Sequence, residues 1–475
     1  MMAQIKRRPL VSSIVAAVCG AAIATLVLAP RGVAQDADTV RQLSLFATAF
    51  DRITDQYVEE VDEKELIEAA IQGMLQSLDP HSGFFTVSEF EEFTDDLEGT
   101  FGGIGIQIQM EDGLVLVIAP IDGTPGAQAG LQPQDLITNI DGEPVRGKTI
   151  EEAVALMRGE IGTPVTLTIL RRSTSESFEV TVNRGVIPEQ SVRSLFVERN
   201  IGYLDIAQFT ETTTGNLERE IANIKEEAEG PIIGWILDMR GNPGGVFGAA
   251  VGVSDTFLEQ GEIVSARGRQ ASLNQSHFAT PGDLIDGAPL VVLINAGSAS
   301  ASEIVAGALQ DHQRATLIGT RSFGKGSVQS LVGLAERTGM RLTTALYYTP
   351  SGRSIQAVGI EPDIRVAFDL AERRDLAGNV IREEYYENEI TLEANADGPV
   401  EGRVVQAEAA LEAARLAAEL STEDNVVDTQ LRAAVAFLKD LAGEDYDPTA
   451  DLQFGLDDPE QPVEDGEETP TATDQ

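Results

Sequence analysis

The spacing of apolar residues predicts helices near the start of the chain. Residues 38–58 and 63–78 carry apolar side chains three or four positions apart, which is the spacing of an amphipathic helix. Pro80 ends the second of them, because proline has no amide hydrogen to donate. The acidic residues 86–98 are predicted to form one more short helix or a linker. We therefore expect an N-terminal helical segment over residues 38–98.

The pattern changes to short strands from residue 99 onward. Alternating apolar residues and β-rich runs are separated by Asp-Gly turns, and two short helical patterns lie among them. The predicted strands cover residues 104–108, 114–118, 135–140, 165–170 and 178–182, and the predicted helices cover 125–131 and 149–157. Residues 99–186 are thus predicted to form one β-rich domain.

Residues 190–369 have the pattern of an α/β layer. Continuous apolar runs, which are typical of strands buried on both faces, alternate with helical segments. The runs cover residues 232–237, 290–294 and 315–318, and the helical segments cover 214–227 and 302–309. Residues 370–443 return to helical patterns, so the fold class is multidomain α/β with a β-rich domain and helical segments at both ends.

The two ends of the chain differ from the rest. Basic residues at positions 6–8 precede an apolar run over 10–29, and small residues follow at 32–34. This is the layout of a secretory signal peptide, and the run is also long enough to span a bilayer. Residues 1–34 are therefore predicted to be a signal peptide or a signal anchor, which places the rest of the chain in the periplasm or another extracytoplasmic space. Residues 444–475 contain twelve acidic and no basic residues, which predicts a disordered tail.

The overall composition excludes several functions. Acidic residues outnumber basic ones by 77 to 34, for a net charge of -43, which argues against binding to nucleic acid or to anionic lipid. The single cysteine, Cys19, cannot form an intrachain disulfide or a zinc ribbon. With three histidines in the chain, we expect no metal site and no cofactor.

The glycine-rich residues 102–106 form the first candidate site. Glycines allow backbone N–H groups to converge on an anion, and the strand that follows can pair with an extended peptide. We therefore expect Gly103, Ile104, Gly105 and Ile106 to bind the end of a peptide, with the helix over 149–158 as the opposite wall. The alternative is a glycine bulge in an ordinary strand.

The second candidate site lies where the strand 290–294 turns into a helix. Ser300 stands at this turn, where the positive field of the helix N-terminus favours a developing alkoxide. The alternative is purely structural, because Ser300 and Glu303 also fit a capping box.

Two further segments favour chemistry at this turn. Lys325 is flanked by glycines after a buried strand, and burial would lower its pKa and provide a neutral base. Gly244 and Gly245 follow another buried strand and could present N–H groups to an oxyanion, although a plain tight turn would have the same sequence.

These motifs resemble those of a known family. Residues 295–303, 304–311, 323–329 and 349–356 are similar to the carboxy-terminal processing peptidases, the tail-specific proteases of serine peptidase family S41. The order of elements over 99–186 resembles a PDZ domain with shifted chain ends, and residues 78–82 also match the family. The resemblance covers residues 40–440, and residues 190–369 would be the protease core.

The resemblance implies a Ser–Lys dyad without histidine. It makes Ser300 the nucleophile and Lys325 the base, with Gln329 orienting the lysine. The oxyanion donors would be the N–H group of Ala301 and that of either Gly245, which is weakly favoured, or Gly244. In this family an arginine at the end of the groove helix can sense the bound peptide, and Arg158 matches it, although a solvated helix-end arginine is the alternative.

We therefore expect an exported serine endopeptidase that recognises protein C-termini through its PDZ domain and cleaves through an acyl-enzyme. Its partners would be protein or peptide substrates with free C-termini. The resemblance is also compatible with a homo-oligomer, built through residues 38–78 and 404–441, and with a regulatory scaffold protein. The alternative is a non-catalytic PDZ adaptor or a ligand-binding protein on the same scaffold.

Overall fold

A computed structural model describes residues 37–366, 382–383, 408–420 and 427–455, apart from positions 112, 122, 189 and 453. The predicted leader over 1–34, most of 370–407 and the end of the predicted tail lie outside the described residues. The chain divides into two units, residues 1–73 and 74–475.

The first unit is helical where it is described. Helix α1 spans Ala37–Gln56, and helix α2 spans Glu63–Gln76 and continues across the unit boundary. Both lie where the apolar spacing predicts them, and several apolar side chains of α1, such as Leu43 and Phe46, are exposed. None of the helices within the described residues combines the length and the apolar composition needed to cross a membrane.

The second unit begins with a short strand and helix and continues into the β-rich domain. This domain has a sheet in the order β3-β4-β5-β7-β8, with β6 beside β5, and a separate β2–β9 pair. Its core contains Ile137, Leu167 and Ile169, which are fully buried. The elements are β1 Gly83–Phe85, α3 Val87–Glu98, β2 Thr100–Gly103, β3 Ile106–Glu111, β4 Leu114–Pro120, α4 Pro125–Gln128, β5 Asp135–Ile140, β6 Glu143–Pro144, α5 Ile150–Met157, β7 Pro164–Arg171, β8 Glu176–Asn183 and β9 Gly185–Pro188.

The α/β region is built on a seven-stranded sheet in the order β19-β16-β15-β12-β11-β10-β20. The strands from β11 to β19 in this order are parallel, whereas β10 is antiparallel to both of its neighbours. A second sheet, in the order β1-β18-β13-β14 with β17 beside β18, is antiparallel. The elements are β10 Val192–Val197, β11 Ile201–Ile206, α6 Thr213–Glu227, β12 Gly234–Asp238, α7 Phe247–Asp255, β13 Glu262–Gly268, β14 Gln275–Phe278, β15 Leu290–Ile294, α8 Ala301–Asp311, β16 Thr316–Gly319, β17 Ser327–Gly333, β18 Gly339–Tyr348, β19 Ile364–Arg365, α9 Glu408–Leu420, α10 Thr429–Ala442 and β20 Phe454–Gly455, with short 3-10 turns at Ala271–Leu273 and Ala335–Arg337.

Helices cover both faces of the seven-stranded sheet. Helices α6, α7 and α8 pack on one face, where Leu237 and Val292 are fully buried. Helices α9 and α10 pack on the other face, where Ile236 and Val291 are fully buried. Successive residues of the same strand thus point into two different cores, which explains why these strands are continuous apolar runs. The predicted fold class is confirmed.

The predicted disordered tail needs a correction at its beginning. The sequence predicts disorder from residue 444, but the structure continues to Gly455, and Phe454 and Gly455 pair with Val197 and Phe196 of β10. Arg432 of α10 donates to the carbonyl groups of Pro448 and Ala450 and fixes the intervening chain. The acidic composition hides this short pairing, because two residues suffice to extend the edge of the sheet.

Candidate active site

Ser300 lies at the junction of β15 and α8, as the sequence predicts. Its backbone has φ 54° and ψ -109°, in the positive-φ region that a non-glycine residue seldom occupies. Two buried hydrogen bonds of Ser298 hold the turn before Ser300. The Ser298 hydroxyl donates to the Met239 carbonyl at 2.7 Å, and the Asn295 N–H donates to Ser298 Oγ at 3.0 Å. The surrounding fold therefore maintains a conformation that this segment would not adopt alone.

One buried carboxylate, that of Glu303, collects four hydrogen bonds at this site. Oε2 accepts from the backbone N–H groups of Ser300 and Lys325, both at 2.8 Å. Oε1 accepts from the Ser322 hydroxyl at 2.6 Å and from the Gly324 N–H at 2.7 Å. Burial raises the pKa of Glu303 to about 7, against the opposing effect of these hydrogen bonds. Glu303 thus does more than cap α8, because it fastens the Lys325 segment to the Ser300 turn.

Lys325 is half-buried in a neighbourhood of several charges. Burial and the nearby positive charge of Arg341 lower the pKa of Lys325, while Glu383, Glu303 and Asp79 act in the opposite direction. The net shift is downward, which favours the neutral amine that a general base needs.

The motif at 78–82 supplies part of this neighbourhood. His81 Nε2 lies 2.8 Å from both carboxylate oxygens of Glu383, whose side chain is fully buried. Arg341 Nε donates to the His81 carbonyl at 2.7 Å, and the Thr343 N–H donates to Ser82 Oγ at 3.1 Å. The motif is therefore a structural support for the charges around Lys325.

The glycine loop after β12 lies directly against the Ser300 turn. A Cβ atom added to Gly244, which has φ 99°, would come within 2.9 Å of Ser300 Cβ and 2.7 Å of the Ala299 carbonyl oxygen. The Gly244 N–H donates to Asn242 Oδ1 at 2.8 Å, inside the protein. Gly244, which the sequence offered as a possible oxyanion donor, is therefore excluded from this role, because its N–H group already donates to Asn242.

Gly245 and Ala301 remain as candidate oxyanion donors. Neither N–H group has an acceptor within the part of the chain that the structure describes. Gly245 has φ 141°, and a Cβ there would lie 1.9 Å from the Phe209 carbonyl oxygen, so the loop conformation requires glycine.

Gln329 lies on β17, with its side chain directed to hydroxyl groups. Its Nε2 donates to Ser327 Oγ at 2.8 Å and lies 3.4 Å from Thr343 Oγ1. The expected contact with Lys325 is not among the hydrogen bonds of the described residues, so the orienting role of Gln329 stays a prediction.

The expected peptide-binding strand has two parts. Gly103 pairs with Gly185 in the β2–β9 ladder, and Ile104 is buried in the core of the domain. The Gly105 carbonyl accepts from the Thr124 hydroxyl at 2.8 Å, and Ile106 starts β3. Strand β3 has β4 on one side, and no strand of the described chain pairs with its other edge.

Arg158 follows the last turn of α5 and is exposed. Its guanidinium carbon lies 4.0 Å from the ring centroid of Phe101, which directly precedes the glycine-rich residues 102–106. The neighbouring Gly159 N–H donates to the Gly102 carbonyl at 3.0 Å. The end of the helix and the glycine-rich segment are therefore in direct contact.

The sequence did not reveal an ion-pair network next to the glycine loop. Arg240 binds Asp238 and Asp428, whose positions in the chain are far apart, and Tyr203 donates to Asp238 at 2.7 Å. Asp311 binds Arg353 and the Ser351 N–H, which explains its presence without a catalytic role. Among the described residues, no group of three or more His, Cys, Asp or Glu side chains is arranged to hold a metal ion.

Family profiles match three parts of the chain. Peptidase family S41 matches residues 200–366, a PDZ domain matches 116–171, and the activating protease CtpB N-terminal domain matches 26–87. These matches define the class of the protein as a serine-type peptidase that carries a PDZ domain.

Comparison with curated proteins gives the family. The carboxy-terminal-processing protease of Bartonella bacilliformis is 50% identical over 71% of this chain and 77% of its own. The carboxy-terminal processing protease CtpA of Bacillus subtilis is 35% identical over 67% of each chain. A solved photosystem II D1 C-terminal processing protease is 27% identical, with a TM-score of 0.40 over 70% of this chain and 95% of its own.

The chain belongs to the carboxy-terminal processing proteases of peptidase family S41. It is a hydrolase that processes the C-termini of proteins, and its substrates are proteins or peptides.

Proposed function

We propose that the chain cleaves its substrates with a Ser300–Lys325 dyad. The observation that carries this proposal is the shared acceptor Glu303, because one buried carboxylate binds the N–H groups of both residues at 2.8 Å. The lowered pKa of Lys325 supports its role as a base, with burial as the main cause. The position of Ser300 at the N-terminus of α8 supports its role as the nucleophile.

The reaction would follow the logic of a serine peptidase with an amine base. Neutral Lys325 takes the proton of the Ser300 hydroxyl while the serine oxygen attacks the carbonyl carbon of the substrate. The N–H groups of Ala301 and Gly245 donate to the oxyanion. The protonated amine then gives its proton to the leaving nitrogen, and water attacks the acyl-enzyme with Lys325 again as the base. Gln329 is proposed to limit the orientations of the lysine.

Substrate recognition would use the free edge of β3. An extended peptide can add to this edge as a further strand, while the glycine-rich segment from Gly103 to Ile106 receives its terminal carboxylate. Arg158, stacked on Phe101, lies at the end of the same segment and would sense the bound peptide. The preceding part of the substrate would then reach Ser300.

The N-terminal part of the chain supports a proposal for its location and assembly. The basic residues and apolar run within residues 1–34 support export of the remaining chain, by either a cleaved signal peptide or a retained anchor. The exposed apolar residues of α1 support a homo-oligomer, which light scattering with and without residues 38–78 would test. A regulatory scaffold protein remains part of the proposal on the resemblance alone.

The nucleophile can be tested with a fluorophosphonate, which modifies activated serines. We expect the wild type to carry the label on Ser300 and to cleave an unfolded protein that ends in an apolar residue. Ser300→Ala should lose both properties, and Ser276→Ala, at an exposed serine of the same region, should keep both. Labelling of the wild type at a different serine would contradict the assignment.

A further inference from the structure

The C-terminal helix α10 begins beside the glycine loop of the candidate active site, where Asp428 contacts Arg240. Helix α10 lies outside residues 200–366, which the family profile matches. It packs on the sheet beside the strands that carry the site, and Leu438 of the helix would be 2.6 Å from a Cβ added to Gly234 of β12. Asp428, the N-cap residue of α10, extends toward the glycine loop.

The carboxylate of Asp428 makes two kinds of contact. Its Oδ1 accepts from the Leu431 N–H at 2.9 Å and so caps α10. Its two oxygens also accept from Nη1 and Nη2 of Arg240, both at 2.8 Å. This paired geometry is the strong form of an arginine–carboxylate interaction, and the Arg240 side chain is 13% exposed.

Arg240 is the residue immediately before the glycine loop at 241–245. Its Nε and Nη2 bind the Asp238 carboxylate at 2.6 to 3.0 Å, and its own backbone N–H donates to the same carboxylate at 2.9 Å. The guanidinium is thus held between the end of β12 and the start of α10. Because Arg240 directly precedes the loop, a shift of Asp428 would also displace the start of the loop.

The loop continues from Arg240 to the oxyanion donor through a short series of hydrogen bonds. The Gly241 N–H donates to Asn295 Oδ1 at 2.9 Å, and the Asn242 side chain donates to the Ile206 carbonyl at 2.6 Å. The Ala299 N–H donates to the Asn242 carbonyl at 3.0 Å. The position of Gly245 therefore depends on where the loop begins as well as on these anchors.

We propose that Asp428 is a positioning residue for the oxyanion loop, acting through Arg240, so that the C-terminal helix is a working part of the active site. The inference rests on the proposed function, since it assigns a further residue to the same site. Asp428 touches no reacting atom. It sets the start of the loop whose Gly245 N–H must point at the oxyanion, and oxyanion donors act only when they are held in place beforehand.

The test uses Asp428→Asn in the full protein. Asparagine also caps helices, so this variant keeps the start of α10 and loses the charged pair with Arg240. Asp440→Asn is the matched control, because it removes the same charge from an exposed position near the other end of the helix. Each protein is measured for kcat and KM on one peptide, for inhibition by a peptide aldehyde and for hydrogen exchange in residues 241–245.

We expect Asp428→Asn to lower kcat by roughly tenfold to a hundredfold, with KM within about twofold of the wild type. Inhibition by the aldehyde, whose adduct places an oxygen in the oxyanion site, should weaken by a similar factor. The amides at 241–245 should exchange faster, while the control behaves as the wild type. A merely structural role would lower the unfolding temperature and leave kcat per active site and loop exchange unchanged, which would overturn the inference.

A replacement variant and the hydrogen-exchange measurement keep the experiment decisive. If Asp428→Asn does not fold, Arg240→Lys replaces it, because lysine keeps the charge but lacks the fork that reaches both carboxylates. Wild-type rates and exchange in that variant would equally overturn the inference. A wild type that cleaves nothing would contradict the proposed function instead, and the exchange of the loop would still decide whether Asp428 positions it.

Discussion

The proposed catalytic turn and the proposed peptide-binding edge of this protein are built in opposite ways. Around Ser300, the buried polar side chains of Asn242, Asn295 and Glu303 accept hydrogen bonds from backbone N–H groups and fix the loops against one another. At β3 the backbone has one edge with no strand beside it in the described chain. The contrast fits the proposed function, in which chemistry depends on groups fixed beforehand and recognition depends on groups left available to a substrate.

The strongest way to break this contrast is to disturb the polar support of the catalytic turn. Glu303→Gln replaces one carboxylate oxygen by an NH₂ group, which then faces two hydrogen-bond donors whichever way the amide is turned. We expect kcat to fall by about a hundredfold or more, measured on a peptide substrate after confirming the fold by circular dichroism.

The matched control for this change is Glu226→Gln, an exposed position on α6. It should leave kcat within about twofold of the wild type, because surface substitutions rarely matter. Full activity in Glu303→Gln would show that the carboxylate only caps α8 and does not join the two catalytic segments.

A smaller effect should come from the recognition side. Arg158→Ala removes the cation stacked on Phe101, and we expect kcat/KM for a peptide with a free C-terminus to fall by roughly threefold to tenfold. The same variant should discriminate less between that peptide and its amidated form. Arg146→Ala, an exposed arginine of the same domain, serves as the control. Unchanged discrimination would mean that Arg158 is only a solvated helix-end residue.

The smallest effect concerns the pH profile. The proposed mechanism requires neutral Lys325, so kcat/KM should be low at acidic pH and should rise as the pH increases through the lowered pKa of the lysine. Arg341→Met removes a positive charge that lowers this pKa, so the acid limb should move to higher pH, with little loss at alkaline pH. Arg219→Met, at an exposed arginine, should not move it, and an unmoved limb in Arg341→Met would contradict the electrostatic account.

The sequence predicts the buried strands best. Residues 290–294 are predicted and observed with the same bounds, because a strand covered on both faces must be a continuous apolar run. The same reasoning draws attention to Ser300 and Lys325 as candidates, since each follows such a run, and the resemblance to the family assigns their roles. It separates Gly245 from Gly244 only weakly, because the direction of an N–H group depends on the backbone angles of the loop.

Contacts between residues that are far apart along the chain could not be predicted from the sequence. Glu303 reads as a local cap, and its bonds to Gly324 and Lys325 come from a segment about twenty residues away. Asp428 reaches Arg240 across 188 positions. No periodicity or spacing rule connects such positions, and only the fold of the sheet brings them together.

The Ser300–Lys325 dyad is the central claim, and one comparison tests it most directly. Wild type, Lys325→Ala and the control Lys225→Ala are each incubated with the same unfolded protein ending in an apolar residue, and the products are identified by mass spectrometry. The account predicts that the wild type and the control cut at the same sites while Lys325→Ala is folded and inert. Cleavage by Lys325→Ala at the wild-type rate would show that the lysine is not the base.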